Sequence, residues 1–184
     1  MQHTLIALVE NKPGVLNRVA SLFRRRNFNI ESLSVGQTER PDISRMTIVV
    51  DSEQVDARQV EANLYKLVNV IDVQDVTNQS AVARDLALIK VSCTPEQRAE
   101  VANLADIFRA KVVDVAKNSV IVEITGTEDK IESLVELLRP IGILEMVRTG
   151  QIAMMRGSAV GIRYTPGSNG HHHLKSEIQN ISER

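Results

Sequence analysis

The chain has 184 residues, 43% of them hydrophobic, with 22 lysines and arginines against 23 aspartates and glutamates. That length can bury one large core or two small ones, and two are expected. The near-zero balance supplies no global field for nucleic acid or an anionic membrane, so a partner has to be recognised locally.

A single cysteine, Cys93, excludes an intrachain disulfide framework. No apolar run approaches the roughly 20 residues of a bilayer span, and the N-terminus MQHTLIALVENK lacks a basic region followed by an apolar stretch. A cytoplasmic protein is expected. His3 to Val9 reads as a strand, and Pro13 stands where a first helical residue often does, because its missing N–H would have no helical partner there. Val15, Leu16, Val19, Leu22 and Phe23 form one helical stripe. Leu33 and Val35 alternate with Ser32 and Ser34, and Met46, Ile48 and Val50 alternate with Thr47 and Val49 beyond the turn-like Glu39-Arg40-Pro41-Asp42, which predicts a β-hairpin. Val60, Leu64, Leu67 and Val68 give a second helical stripe, and NVIDVQDV a closing strand.

The order then repeats. After a polar linker at 78–84, LALIKVS answers the first strand, Pro95 opens a helix with the stripe Val101, Leu104, Ala105 and Phe108, and KVVDV and NSVIVEITG supply two strands. Ile131, Leu134, Val135 and Leu138 mark the fourth helix, and GILEMVRTG the closing strand. The fold class is therefore α+β, with two tandem ferredoxin-like βαββαβ domains at 1–77 and 85–157. Each such sheet carries helices on one face only, so the other face calls for dimerisation or sheet-on-sheet packing. The tail at 158–184 is rich in Gly, Ser, Asn and His and reads as flexible; His171, His172 and His173 lack the carboxylate spacing of a formed metal site.

The two helix-opening loops differ in chemistry. Glu10-Asn11-Lys12-Pro13-Gly14-Val15 carries a glycine, whereas Ser92-Cys93-Thr94-Pro95-Glu96-Gln97 carries Glu96. Unpaired N–H groups and the positive end of the macrodipole attract a carboxylate at a helix N-terminus by roughly 0.3–1 kcal/mol from the dipole alone. Gly14 would let an anion approach that backbone; Glu96 would repel it. Asn11 is expected as an N-cap that could also reach a ligand. A turn with no ligand is the commoner meaning of such a loop.

At the far end of the helix, Asn27 is expected as a left-handed cap and Asn29 as a side chain able to offer an acceptor to an ammonium or a donor to a carboxylate. Arg24, Arg25 and Arg26 complement the negative end of the helix dipole. Cys93 has no histidine or second cysteine beside it, and no phosphate loop, nucleophile elbow or paired carboxylates point to catalysis. A binding module is expected.

ENKPGVLNRVASLFRRRNFNIESLSVG followed by Ser44-Arg45-Met46-Thr47 resembles the N-terminal ACT domain of the small regulatory subunit of acetohydroxyacid synthase (acetolactate synthase). IFRAKVVDV, EITGTEDKIE and GILEMVRTGQIAMMRG resemble that family's C-terminal domain. The resemblance implies a non-catalytic subunit of branched-chain amino-acid biosynthesis that activates a catalytic partner and mediates feedback inhibition, usually by valine, with leucine or isoleucine as the other candidates. Thiamine diphosphate, FAD and Mg²⁺ would belong to the partner, which condenses pyruvate with pyruvate or 2-oxobutyrate.

The resemblance also implies a homodimer through the ACT domains. The effector would lie between Asn11, Pro13, Gly14 and Val15 of one chain and Asn29 and Ile30 of the other. Asn27 departs from the glycine common in the family. A stand-alone ACT-domain amino-acid sensor or transcription regulator is the alternative, although no helix-turn-helix with a basic face is visible in the sequence.

Overall fold

The computed structural model describes residues 2–51 and 57–157. The first unit comprises β1 (Gln2–Glu10), α1 (Val15–Arg25), β2 (Ile30–Gln37), β3 (Ile43–Asp51), α2 (Ala57–Leu64) and β4 (Val70–Asp75). Its antiparallel sheet runs β2-β3-β1-β4. Alternation along β1 puts Leu5, Ala7 and Val9 on the helix face, beside Met46, Ile48 and Val50 of β3; Val19, Leu22 and Phe23 of α1 and Val60 and Leu64 of α2 close the core over them.

α1 ends in a Schellman motif. Asn27 takes the expected left-handed conformation (φ 55°), its N–H donates to Arg24 O (3.2 Å), and Phe28 N–H donates to Phe23 O (3.0 Å). The accompanying apolar contact is the edge-to-face pair Phe23 and Phe28, 5.8 Å between ring centres.

The second unit repeats the plan with β5 (Ala81–Ser92), α3 (Arg98–Ile107), β6 (Lys111–Val115), β7 (Ser119–Gly126), α4 (Glu128–Leu138) and β8 (Ile143–Arg148), in sheet order β6-β7-β5-β8. Ala87, Ile89 and Val91 of β5 and Val120, Val122 and Ile124 of β7 meet Val101, Ala105, Ile131, Leu134, Val135 and Leu138 from the helices, with Cys93 buried among them. α3 ends in the same motif as α1, here with Arg109 at φ 51° and Ala110 N–H on Ala105 O (2.7 Å). Two tandem ferredoxin-like domains are thus present, as the patterning predicts.

Several details depart from the sequence reading. Both prolines precede their helices by more than one residue, α1 starting at Val15 and α3 at Arg98. Leu16 is about half exposed, and Val68 is exposed because α2 ends at Leu64 and the chain continues in turns. The polar segment expected as a linker at 78–84 is ordered structure. Thr77 Oγ1 accepts from Thr4 N–H (3.0 Å), Gln79 N–H turns back to Val76 O (3.1 Å), and residues 81–84 already belong to β5.

That first third of β5 pairs with β9 (Ile152–Met155), a strand with no separate sequence signal. The β5–β9 ribbon lies on the outer face of the first sheet, where Ile6 and Val76 pack with Ala153, Ala81, Ala83 and Met155. The sheet-on-sheet cover demanded by that face therefore comes from within the chain. Arg45 Nη2 donates to Ala153 O (2.7 Å) and fastens the ribbon. The tail at 158–184, including His171 to His173, lies outside the described residues.

Candidate functional site

The glycine-bearing loop is braced on both sides by backbone. Glu10 N–H donates to Asn69 O (2.9 Å) and Asn11 N–H to Asp42 O (2.8 Å). The Asn11 side chain does not cap α1: its Nδ2 donates to Pro41 O (2.9 Å), tying the loop to the tip of the β2–β3 hairpin. Gly14 occupies the N-cap position instead, at φ 82°, a left-handed conformation that a side chain disfavours.

No side chain caps α1, and its first turn holds no acid. Val15 N–H turns back to Lys12 O (3.3 Å), while Arg18 N–H makes the first helical bond, to Gly14 O (3.0 Å). Leu16 and Asn17 N–H have no acceptor among the described residues, the arrangement that receives an anion. A Cβ added at Gly14 would meet nothing within 4 Å, so the space over this terminus is open. Val15 contributes backbone only, because its side chain is in the core.

The second loop is closed by its own side chains. Thr94 N–H donates to Gln97 Oε1 (3.0 Å) and Gln97 N–H to Thr94 Oγ1 (3.4 Å), a reciprocal pair within the loop, while Gln97, the N-cap residue of α3, makes no side-chain cap bond to the helix. Glu96 falls before the helix, where its bond with Thr94 holds its carboxyl below the usual range; the acid of the first turn is Glu100. Glu96 therefore does not occupy the first turn as the sequence suggests; the two termini differ in the left-handed Gly14 of the first and the first-turn acid Glu100 of the second, not in side-chain capping.

Asn29 and Ile30 lie at the opposite end of α1, which at 11 residues is about 16 Å long. Within one chain the two halves of the predicted site cannot touch one small molecule. Asn29 is exposed, and its Nδ2 donates to Glu31 Oε1 (2.9 Å). β2 pairs only with β3, so its other edge has no strand partner among the described residues. Two clefts lie elsewhere. One of about 330 Å³ is lined by Arg40, Arg45 and Met154 among others; another of about 360 Å³, between the units, is lined by Glu31, Ser32, Asp85, Arg148 and Gln151 among others. None of the six predicted residues lines either.

The residues that shape the loop from beneath escaped the sequence reading. Asn69, nearly buried at the entry to β4, donates Nδ2 to Glu10 Oε2 (2.5 Å) and accepts Arg18 Nη1 on Oδ1 (2.6 Å). Glu10 Oε1 also receives Lys12 Nζ (3.1 Å). The Asn69 bond first, then Lys12, lowers the Glu10 carboxyl below its ordinary value. Asn69, an amide directly before β4, is the one local hint; Arg18 gives none.

Residues 5–72 match the family described as an AHAS small subunit-like ACT domain, and residues 84–157 the family described as the small subunit of acetolactate synthase. A probable acetolactate synthase small subunit from Archaeoglobus fulgidus is 54% identical over 158 residues, covering 86% of this chain and 99% of that protein. The acetolactate synthase small subunit of Bacillus subtilis is 47% identical over 159 residues, covering 86% and 92%. The crystal structure of the acetolactate synthase small subunit from Thermotoga maritima superposes with a TM-score of 0.78 at 41% identity, over 85% of this chain and 98% of that one. With both units matched in order and at these identities, the chain belongs to the acetolactate synthase small-subunit family.

Proposed function

We propose that the chain is the non-catalytic regulatory subunit of an acetolactate synthase, activating the catalytic subunit and conferring feedback inhibition by a branched-chain amino acid, valine first. The observation that carries the effector reading is the α1 N-terminus: two unengaged N–H groups, a left-handed glycine and no acid in the first turn. The amino acid's carboxylate binds there. Its ammonium meets the Asn29–Ile30 corner of a second copy, since about 16 Å of helix separates the two groups in one chain.

The unpaired edge of β2, which begins at that corner, supports such pairing across a two-fold axis. Half-exposed Leu16 and Val35, on α1 and β2, supply apolar surface for a small branched side chain. An effector held between two chains favours one arrangement of the dimer. A coupling of about 1–3 kcal/mol resets the catalytic partner's activity. Thiamine diphosphate, FAD and Mg²⁺ chemistry stays with that partner.

Gly14→Asp tests the reading. A carboxylate at the N-cap repels the effector's, and the reconstituted holoenzyme is expected to remain activated by the small subunit while losing its response to valine, leucine and isoleucine. Inhibition that survives the change refutes the loop as the effector site.

A further inference from the structure

Asn29 can face a ligand with either end of its amide, and the structure decides which. Its Nδ2 sits 2.9 Å from Glu31 Oε1, and a carboxylate offers only acceptor lone pairs. The flip of the amide is thereby fixed: one of its two N–H groups is engaged with Glu31, and Oδ1, the end turned away from that carboxylate, is available as an acceptor.

Glu31 is set apart by the backbone as well. The register of β2 on β3 slips between Ile30 and Ser32, pairing Ile30 with Val50 and Ser32 with Val49, so Glu31 is the extra residue of a β-bulge on an edge strand. Bulges re-aim the side chain they carry. The bulge follows directly on the turn formed by left-handed Asn27 and buried Phe28, which fixes where Asn29 leaves the core.

We propose that Glu31 is a positioning residue for effector binding: by engaging one amide N–H it holds Asn29 with its carbonyl oxygen available, so that the corner offers an acceptor to an α-ammonium. This rests on the effector reading above and sharpens it, because the two ends of the amino acid are then read by opposite chemistries, N–H donors at Gly14 and an oxygen acceptor at Asn29. The class of ligand that fits is a free α-amino acid; an N-acylated one lacks the ammonium.

The test uses the full chain with its catalytic subunit, L-valine as the probe, and binding by calorimetry beside inhibition of the holoenzyme. Glu31→Ala frees the amide to turn and is expected to weaken valine by about tenfold, the loss of one oriented hydrogen bond to a charged group. Asn29→Asp combined with Glu31→Gln reverses the bond, since glutamine donates to the new carboxylate while an oxygen still faces the ligand. It is expected to restore valine binding to within about threefold of the parent.

A merely structural role for Glu31 would not be repaired by that swap, so a double variant as weak as Glu31→Ala overturns the proposal. Parent-like valine binding by Glu31→Ala also overturns it, leaving the effector reading intact. Failure of the parent chain to bind valine, leucine or isoleucine overturns the effector reading and this inference together.

Discussion

Gly150 is a close approach between the two units, and replacing it should loosen them. It lies between β8 and β9 at φ +81°, and a Cβ there would press well inside contact distance of Ser32 Oγ and sit 3.1 Å from Ser34 Oγ. Those two hydroxyls hold the turn: Gln151 N–H donates to Ser32 Oγ (3.1 Å) and Ser34 Oγ donates to Thr149 O (3.0 Å).

Gly150→Ala adds left-handed strain of about 1–2 kcal/mol. If the turn retreats from β2, it also loses two hydrogen bonds at about 1 kcal/mol each. The expected cost is about 3–4 kcal/mol by urea denaturation. In a Ser32→Ala background the worst clash disappears and one of the bonds is already gone, so the same substitution should cost only about 2 kcal/mol, an interaction of about 1–2 kcal/mol in the double-mutant cycle. A Gly150→Ala cost below about 0.5 kcal/mol, or the same cost in both backgrounds, would refute the docking of this turn on β2.

Asn69→Ala removes the amide joining Glu10 to Arg18 and leaves both charged groups without it. A loss of about 1.5–3 kcal/mol is expected, discounted toward the lower figure because Glu10 is accessible to water. Valine inhibition should weaken in the same variant, since the loop rests on that bond; chemical denaturation and inhibition titrations check the two effects. Tyr65→Phe deletes a hydroxyl that donates to Asp72 Oδ1 (2.7 Å) and accepts Val73 N–H (3.0 Å), with an expected cost of about 1–2 kcal/mol.

Burial first, then the bond to Asp72, pushes the Tyr65 phenol above its ordinary range. The folded chain thus holds that proton more tightly than the unfolded one. Its contribution is complete below the ordinary tyrosine value of about 10 and is lost as pH rises through the folded value. Stability measured from pH 9 upward should accordingly fall less steeply in Tyr65→Phe than in the parent.

The cores were legible because they rest on period: two along Leu5, Ala7 and Val9, and the helical spacing along Val19, Leu22 and Phe23, survive any tertiary context that buries one face. Leu16 and Val68 misled for the same reason, since a stripe widened by one apolar neighbour looks identical whether that neighbour meets the core or water. The caps were half legible. Asn27 signals a left-handed residue by its identity, but Arg109 adopts the same conformation with no such signal, being placed there by the register of the second repeat. Asn11 failed as a cap because Pro41 O, brought in by the β2–β3 hairpin, offers its amide a partner some 30 residues distant, as no local rule could anticipate.

The uncovered sheet face shows where such reading reaches its limit. Alternation along β1 and β3 establishes that Ile6 and Val49 need cover, yet cover by a second chain and cover by a distant segment of the same chain leave identical marks on those strands. Here the covering ribbon begins in a stretch that composition reads as linker, because Ala81 and Ala83 are small and Arg84 is charged, and it is completed by β9 from the far end of the second unit.

One consequence is that β2 serves both units. Its first residues stand beside the corner at Asn29, and Ser32 and Ser34, next along the strand, receive the β8–β9 turn. A shift of β2 by even one residue would turn both hydroxyls away from Gly150, since side chains alternate between faces. The corner, the bulge at Glu31 and the contact with the second unit are therefore held in one register along a single edge strand, and a change at one of them cannot be local to it.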